Sequence, residues 1–222
     1  MLEAGSPDEA EHTASVIPAG TVPASLHASL MARLDRLGTA KELAQTAAAI
    51  GREFSHALLA AVVSKPEAEL ASALDGLNRA GLLFRQGVPP HASYLFKHAL
   101  VQDAAYGTLL REPRRALHRR IVETLEREVV EIAENQPELL ALHCTEAGQI
   151  EKAADLRGKA GQRSLLRSAL VEAAEQLTRA VTHIASLPTT PPLRRTEIEL
   201  QLARTRGALA PLPPSFPARQ SL

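Results

Sequence analysis

No tryptophan occurs in the 222 residues of this chain, and only two tyrosines and four phenylalanines do. The apolar content, 45% of the residues, is dominated by alanine and leucine, both strong helix formers. That balance points to helices around a packed core and allows one or two domains. A single cysteine, Cys144, excludes an internal disulfide and a multi-cysteine metal site. It reads as a small buried residue on a helix. No apolar run approaches the roughly 18 residues needed to span a bilayer, so no membrane partner is expected. The start, Met1-Leu-Glu-Ala-Gly-Ser-Pro-Asp8, has neither a basic nor an apolar region of a secretory signal. A cytoplasmic location is the expectation. Formal net charge is zero, which gives no global drive onto nucleic acid or an anionic surface.

Catalytic signatures are missing as well. There is no G-x-x-x-x-G-K-[ST] loop to cradle a phosphate, no H-E-x-x-H, no G-x-S-x-G and no dinucleotide-binding glycine pattern. The eight histidines are scattered singly. His143 and Cys144 are adjacent, but neighbours on a helix point in different directions, which makes a poor chelate. No enzyme activity, metal or cofactor is expected, and the isolated chain is expected neither to hydrolyse ATP nor to bind it tightly.

What is present is helical periodicity with one interruption. Residues 1–22 are polar, acidic and broken by Gly and Pro, and read as a disordered lead. A helix from near Pro23 carries Leu26, Leu30, Leu34 and Leu37 on one stripe. Thr39-Ala-Lys-Glu42 and Ser64-Lys-Pro-Glu67 read as capping boxes, opening helices that end at Gly51 and Gly81. A short helix spans about Ser55 to Val63. The period then changes: residues 82–86 and 93–97 are short apolar runs around a Gly/Pro-rich turn, the pattern of a β-hairpin and the only sheet expected. Three helices followed by a hairpin is the element order of a winged helix-turn-helix. Helix resumes from about His98 to Leu110. A long helix from near Pro113 to about Glu134 follows, with a stripe of Leu117, Ile121, Leu125 and Val129 or Ile132. Residues 137–206 hold three or four Ala-rich helices, whose small residues let neighbours approach closely. Residues 207–222 are Pro-rich and read as a disordered tail. The expected divisions are a winged-helix domain over 23–110, a connecting helix over 111–136 and a helical array over 137–206.

Two groups of residues are candidates for chemistry. His98 lies at a strand-to-helix junction, where an imidazole can face a cleft and donate to a phosphate or a backbone group. Arg111, Arg114, Arg115, His118, Arg119 and Arg120 form the densest basic cluster, read as a solvated helix face among Glu112, Glu123, Glu126 and Glu128. The helix from Pro66 to Ala80 would be the DNA reader of a winged helix. Its Glu67, Glu69, Asp75 and Arg79 sum to a negative charge, which opposes phosphate contact.

Several segments in one order resemble a known region. They are Ile17-Pro-Ala and Thr21-Val-Pro-Ala-Ser-Leu-His-Ala-Ser-Leu-Met-Ala-Arg-Leu-Asp-Arg-Leu37, Ala48-Ala-Ile-Gly-Arg-Glu-Phe-Ser55, Gly81-Leu-Leu-Phe84 and Tyr94-Leu-Phe-Lys-His-Ala-Leu-Val-Gln-Asp-Ala-Ala-Tyr106. Together they resemble, over roughly residues 17–187, the region that follows the ATPase core in bacterial STAND-type (AAA-like) signalling ATPases. These occur with adenylate/guanylate cyclase or LuxR-type output domains. The resemblance implies a mainly α fold: a winged helix with one hairpin, then tetratricopeptide-like repeats. It also implies that His98 contacts the phosphate of ADP bound to a separate core, with Ala99 standing where the family often has an acidic residue. The expected function is a non-catalytic regulatory and protein-interaction fragment, partnered by proteins or by the parent ATPase module. The alternative is a DNA-binding winged-helix transcriptional regulator.

Overall fold

A computed structural model of the chain describes the backbone of residues 24–208. Among these are eleven α-helices and one three-stranded antiparallel sheet, so the chain is mainly helical. None of the described helices is long and apolar enough to cross a membrane. The expected lead over 1–22 lies outside the described residues.

The leucine stripes and glycine stops place the first helices. Helix α1 spans Ala24–Asp35 and buries Leu34, with Leu30 and Leu37 partly covered. The Leu26 side chain lies outside the described residues. Helix α2, Thr39–Ile50, buries Leu43, Ala47 and Ile50. Helix α3, His56–Val63, and helix α4, Glu67–Arg79, follow, and α4 turns Leu70, Leu74 and Leu77 inward. Neither expected capping box forms. Gly38 is the N-cap of α2 and Thr39 is already its first residue, with no side-chain cap bond. Pro66 fills the N-cap of α4, while Ser64 closes α3 in the left-handed conformation, its Oγ donating to the Ala61 carbonyl. Among these first helices the side-chain cap that does form is Ser55, whose Oγ accepts from the Leu58 N–H at 3.2 Å.

The sheet corrects the expectation of a lone hairpin. Strand β2, Leu83–Gln86, pairs with strand β3, Ser93–Phe96, as expected, but β3 is also flanked by strand β1, Glu53–Ser55. Phe54 pairs with Tyr94 across the ladder, and their rings stack 5.7 Å apart. Phe96 lies 6.0 Å from Phe54. Burying each such ring stabilises by roughly 1.5–3 kcal/mol, enough to hold a strand of only three residues.

Beyond the sheet come α5, Ala99–Gly107, and α6, Arg111–Arg127. The single helix expected up to Glu134 breaks after α6, and α7 covers Val130–Asn135. The Glu128 and Val129 N–H groups both fall back on the Thr124 carbonyl, and two β-branched valines in a row weaken the helix there. Leu117, Ile121, Val122 and Leu125 of α6 belong to the same buried cluster as Leu34, Leu43, Leu74 and Phe96, with Val129 partly buried against it. The Ile132 side chain lies outside the described residues.

Four helices complete the described chain: α8, Pro137–Glu146; α9, Ile150–Leu166; α10, Leu170–Ala185; and α11, Pro191–Ala208. Helix continues through Gly207 and Ala208, the first two residues of the expected tail, and the remainder of that tail lies outside the described residues. Helix α9 packs against α8 and α10, and α11 packs against α10. Small residues on α9 set the spacing. A Cβ on Gly161 would come within 2.6 Å of Leu177 Cγ, and one on Gly158 within 2.8 Å of Leu200 Cδ2. The α8–α9 and α9–α10 turns close alike. Gln149 N–H reaches the Cys144 carbonyl at 2.8 Å, and Ala169 N–H reaches the Ser164 carbonyl at 2.9 Å. The residue before each, Gly148 or Ser168, is left-handed.

Candidate functional site

His98 occupies the N-cap position of α5, with φ −133° and ψ 136°, directly after β3. Its carbonyl accepts the Val101 N–H at 3.0 Å, while its side chain caps nothing and is exposed. Two cations stand at the preceding turn, around Gly81. The Lys97 backbone N–H donates to the Leu82 carbonyl, and the Arg33 guanidinium donates to the Ala80 carbonyl. Both side chains flank the Gly81 turn: a Cβ there would lie 3.6 Å from Arg33 Nη2 and 3.9 Å from Lys97 Nζ. Gly81 has φ +67°, so the turn suits glycine on both counts. The sequence thus places His98 correctly at a strand-to-helix edge, while the contribution of Arg33, from α1, comes only with the tertiary fold.

The basic cluster read along the sequence does not stay together. Arg111, Arg114 and Arg115 line one cleft with Thr145, Glu146 and Gly148. Arg119 and Arg120 are exposed elsewhere on α6, and His118 turns into the core.

His118 leads to a network that residue-by-residue sequence reading missed. Its ring is 2% exposed and that of His143, on α8, is 0% exposed. Their Nδ1 atoms are 3.0 Å apart. His118 Nε2 lies 2.9 Å from the Tyr106 hydroxyl, which donates to Glu146 Oε2 at 3.2 Å. That last bond fixes the rest. With its proton on Glu146, the Tyr106 oxygen accepts from His118 Nε2–H. His118 Nδ1 is then an acceptor and His143 Nδ1–H the donor. His143 Nε2 remains a buried lone pair without a partner. Burial pushes both imidazoles below the ordinary histidine range. For His118, nearby Glu146 opposes the shift and Arg114 adds to it. His143 falls to about 3, with His118 as the second cause. The Tyr106 hydroxyl is pushed up to about 12 by burial and then by the Glu146 charge. Arg114 covers the Tyr106 ring at 4.3 Å. A signal was available: His118 is flanked by Leu117, Ile121 and Val122 on the apolar face of its helix.

Cys144, beside His143, is fully buried, and burial pushes its thiol up to about 11. No group of three or more His, Cys, Asp or Glu able to hold a metal occurs among the described residues.

One curated protein, an uncharacterized protein of Rhizobium meliloti (strain 1021), is 37% identical to this chain over 153 residues. The match covers 68% of this chain and 15% of that protein, so the chain spans a small part of its relative's length. No protein-family model matches the chain, and no solved structure matches it.

Proposed function

We propose that this chain is a non-catalytic regulatory and protein-interaction segment of a STAND-type signalling ATPase, a winged helix joined to tetratricopeptide-like helices. The observation that carries the reading is the element order α2-β1-α3-α4-β2-β3 with sheet order β1-β3-β2. A strand between the first two helices, paired with the last strand of the hairpin, supports a winged helix more strongly than a hairpin alone. Successive helices joined by short turns, α8 to α10, support a repeat array. A match to 15% of a long relative fits a module of a larger regulator. In this reading the array offers grooves to partner proteins, and His98 completes a phosphate site formed elsewhere.

The role of His98 follows from its position. In this reading a single exposed imidazole at a strand-to-helix edge does not hold a nucleotide alone. It adds one charge-assisted hydrogen bond, worth roughly 1.5–3 kcal/mol, to a nucleotide already held by a core. The experiment joins this chain to a STAND ATPase core and compares ADP affinity with and without His98→Ala. A loss of about tenfold or more, with unchanged folding, is the expected result. Equal affinities would remove the sensor role and leave only the architecture.

DNA binding is the second reading. The winged-helix element order favours it, and the charge of α4 opposes it. Glu67, Glu69 and Asp75 outnumber Arg79 on that helix, and Asp75 lies 3.7 Å from Arg85 of β2. A gel-shift titration over a salt series separates the two, because phosphate contacts would give a steep fall of affinity with salt.

A further inference from the structure

The cleft between the first turns of α6 and the end of α8 has a charge arrangement that the fold alone does not account for. It has a volume of about 540 Å³ and is lined by Arg111, Arg114, Arg115, Thr145, Glu146 and Gly148. Arginines at the start of a helix oppose its dipole, which favours anions there. Helix α6 is 17 residues long and places three arginines in its first five positions, with no side-chain cap on its N-terminus. Among the described residues, none of the three forms a salt bridge with a carboxylate. Glu112, the acidic residue of that turn, does not line the cleft. Glu146 does, and its carboxylate accepts from Tyr106. Three positive charges against one negative leave a formal excess of two.

Two of the guanidinium groups are fixed in place. Arg114 donates to the Tyr106 and Leu109 carbonyls at 3.3 and 3.1 Å, and its buried Nε has no partner. Arg115 donates through Nε to the Ala147 carbonyl at 3.0 Å. Its guanidinium lies flat against Gly148, where a Cβ would come within 2.2 Å of Nη2. Gly148 has φ +77°, so both backbone and space demand glycine. Arg111 is exposed and makes no hydrogen bond among the described residues. Held donors lose little freedom on meeting a ligand, and the planar fork of arginine matches an oxyanion.

We propose that this cleft binds the phosphoryl group of a small ligand, through Arg111 and Arg115 at the N-terminus of α6. The walls carry no free aromatic face, because Arg114 already covers the Tyr106 ring. Recognition therefore rests on the phosphate and not on a base. Inorganic phosphate, pyrophosphate and ADP share that chemistry and differ in what is attached. The site is distinct from His98, which is not among its lining residues.

The experiment titrates the full chain with inorganic phosphate, pyrophosphate and ADP at fixed ionic strength, followed by calorimetry or amide chemical shifts. Saturable binding in the high-micromolar to millimolar range is expected, with pyrophosphate and ADP within about threefold of each other. Arg111→Ala and Arg115→Ala each weaken it by roughly tenfold, and His98→Ala leaves it unchanged. Arg111 is exposed and unbonded, so its variant keeps the fold, which far-UV circular dichroism checks. Glu146→Gln removes the like charge and keeps an acceptor for Tyr106. It strengthens binding several-fold, a direction that damaged folding would not produce. No saturable binding of any of the three, equal affinity in the arginine variants, or ADP binding without pyrophosphate binding overturns the proposal.

Discussion

His118 and His143 face each other through their Nδ1 atoms at 3.0 Å, both rings enclosed by α5, α6 and α8. Both are held neutral, and one hydrogen bond between them uses up a nitrogen of each. Acid therefore acts on the unfolded chain first. A histidine with an ordinary value of 6.5 when unfolded and about 3 when folded binds its proton only in the unfolded state over that interval. Its contribution to stability is fully present above about pH 6.5 and falls as pH drops towards 3. By pH 5 the loss from His143 alone is about 2 kcal/mol. Urea midpoints measured at pH 7.5 and 5.0 check this, with His143→Phe expected to flatten the difference. Equal midpoints in the parent chain would sink the account.

The two glycines of α9 separate helix propensity from packing. Gly161→Ala drives a Cβ towards Leu177 Cγ at 2.6 Å and the Ala173 carbonyl at 3.3 Å, neither of which is a free side-chain end. A loss of about 1–3 kcal/mol is expected. Gly158→Ala meets only the tip of Leu200, at 2.8 Å. The clash is relieved by a small rotation, and the roughly 1 kcal/mol gained in helix propensity offsets it. Thermal unfolding of both variants tests the ordering, and a larger loss at Gly158 would contradict it.

Ser168 holds φ +59° in the turn where Gly148 stands in the preceding one. The left-handed conformation costs a non-glycine residue roughly 1–2 kcal/mol, and glycine adds unfolded-state entropy that returns part of it. Ser168→Gly is expected to raise stability by up to about 1 kcal/mol, read as a higher denaturation midpoint. A lowered midpoint would mean that the serine side chain makes a contribution beyond the turn.

Phe54 tests the third strand. Its ring is buried against Tyr94 and Phe96, and Phe54→Ala is expected to cost about 3–5 kcal/mol. Hydrogen exchange should quicken at His56 and Phe96, whose N–H groups bond the Ala92 and Arg52 carbonyls. Exchange unchanged at both positions would show that β1 does not hold the sheet edge.

The helices and the hairpin were legible because leucines spaced by whole turns, and glycines just past them, state where a helix faces and stops. Strand β1 was not, since Glu53-Phe54-Ser55 is too short to display an alternation. Thr39 and Ser64 carry the right residues for caps, yet Gly38 and Pro66 fill those positions. A side chain three residues from a glutamate does not choose its own place in the turn. Along the chain, Arg111 to Arg120 look like one charged face. Arg111, Arg114, Arg115 and His118 share one helix face, but the first turn borders a cleft and His118, two turns on, reaches the core, while rotation turns Arg119 and Arg120 to solvent. His98 was legible as a junction residue. Arg33, which meets the Gly81 turn, arrives from far along the chain, which no local pattern encodes.

Cys144 is the chain's single thiol, sealed on α8 and pushed away from its reactive form. In the native protein no thiolate is presented that could attack a maleimide or a disulfide reagent. Labelling then proceeds only during excursions in which α8 parts from α6 or α9, at a rate set by how often they part. The sequence thus carries its own clock for the opening of the packing between α8 and its neighbours α6 and α9, with no residue to be introduced.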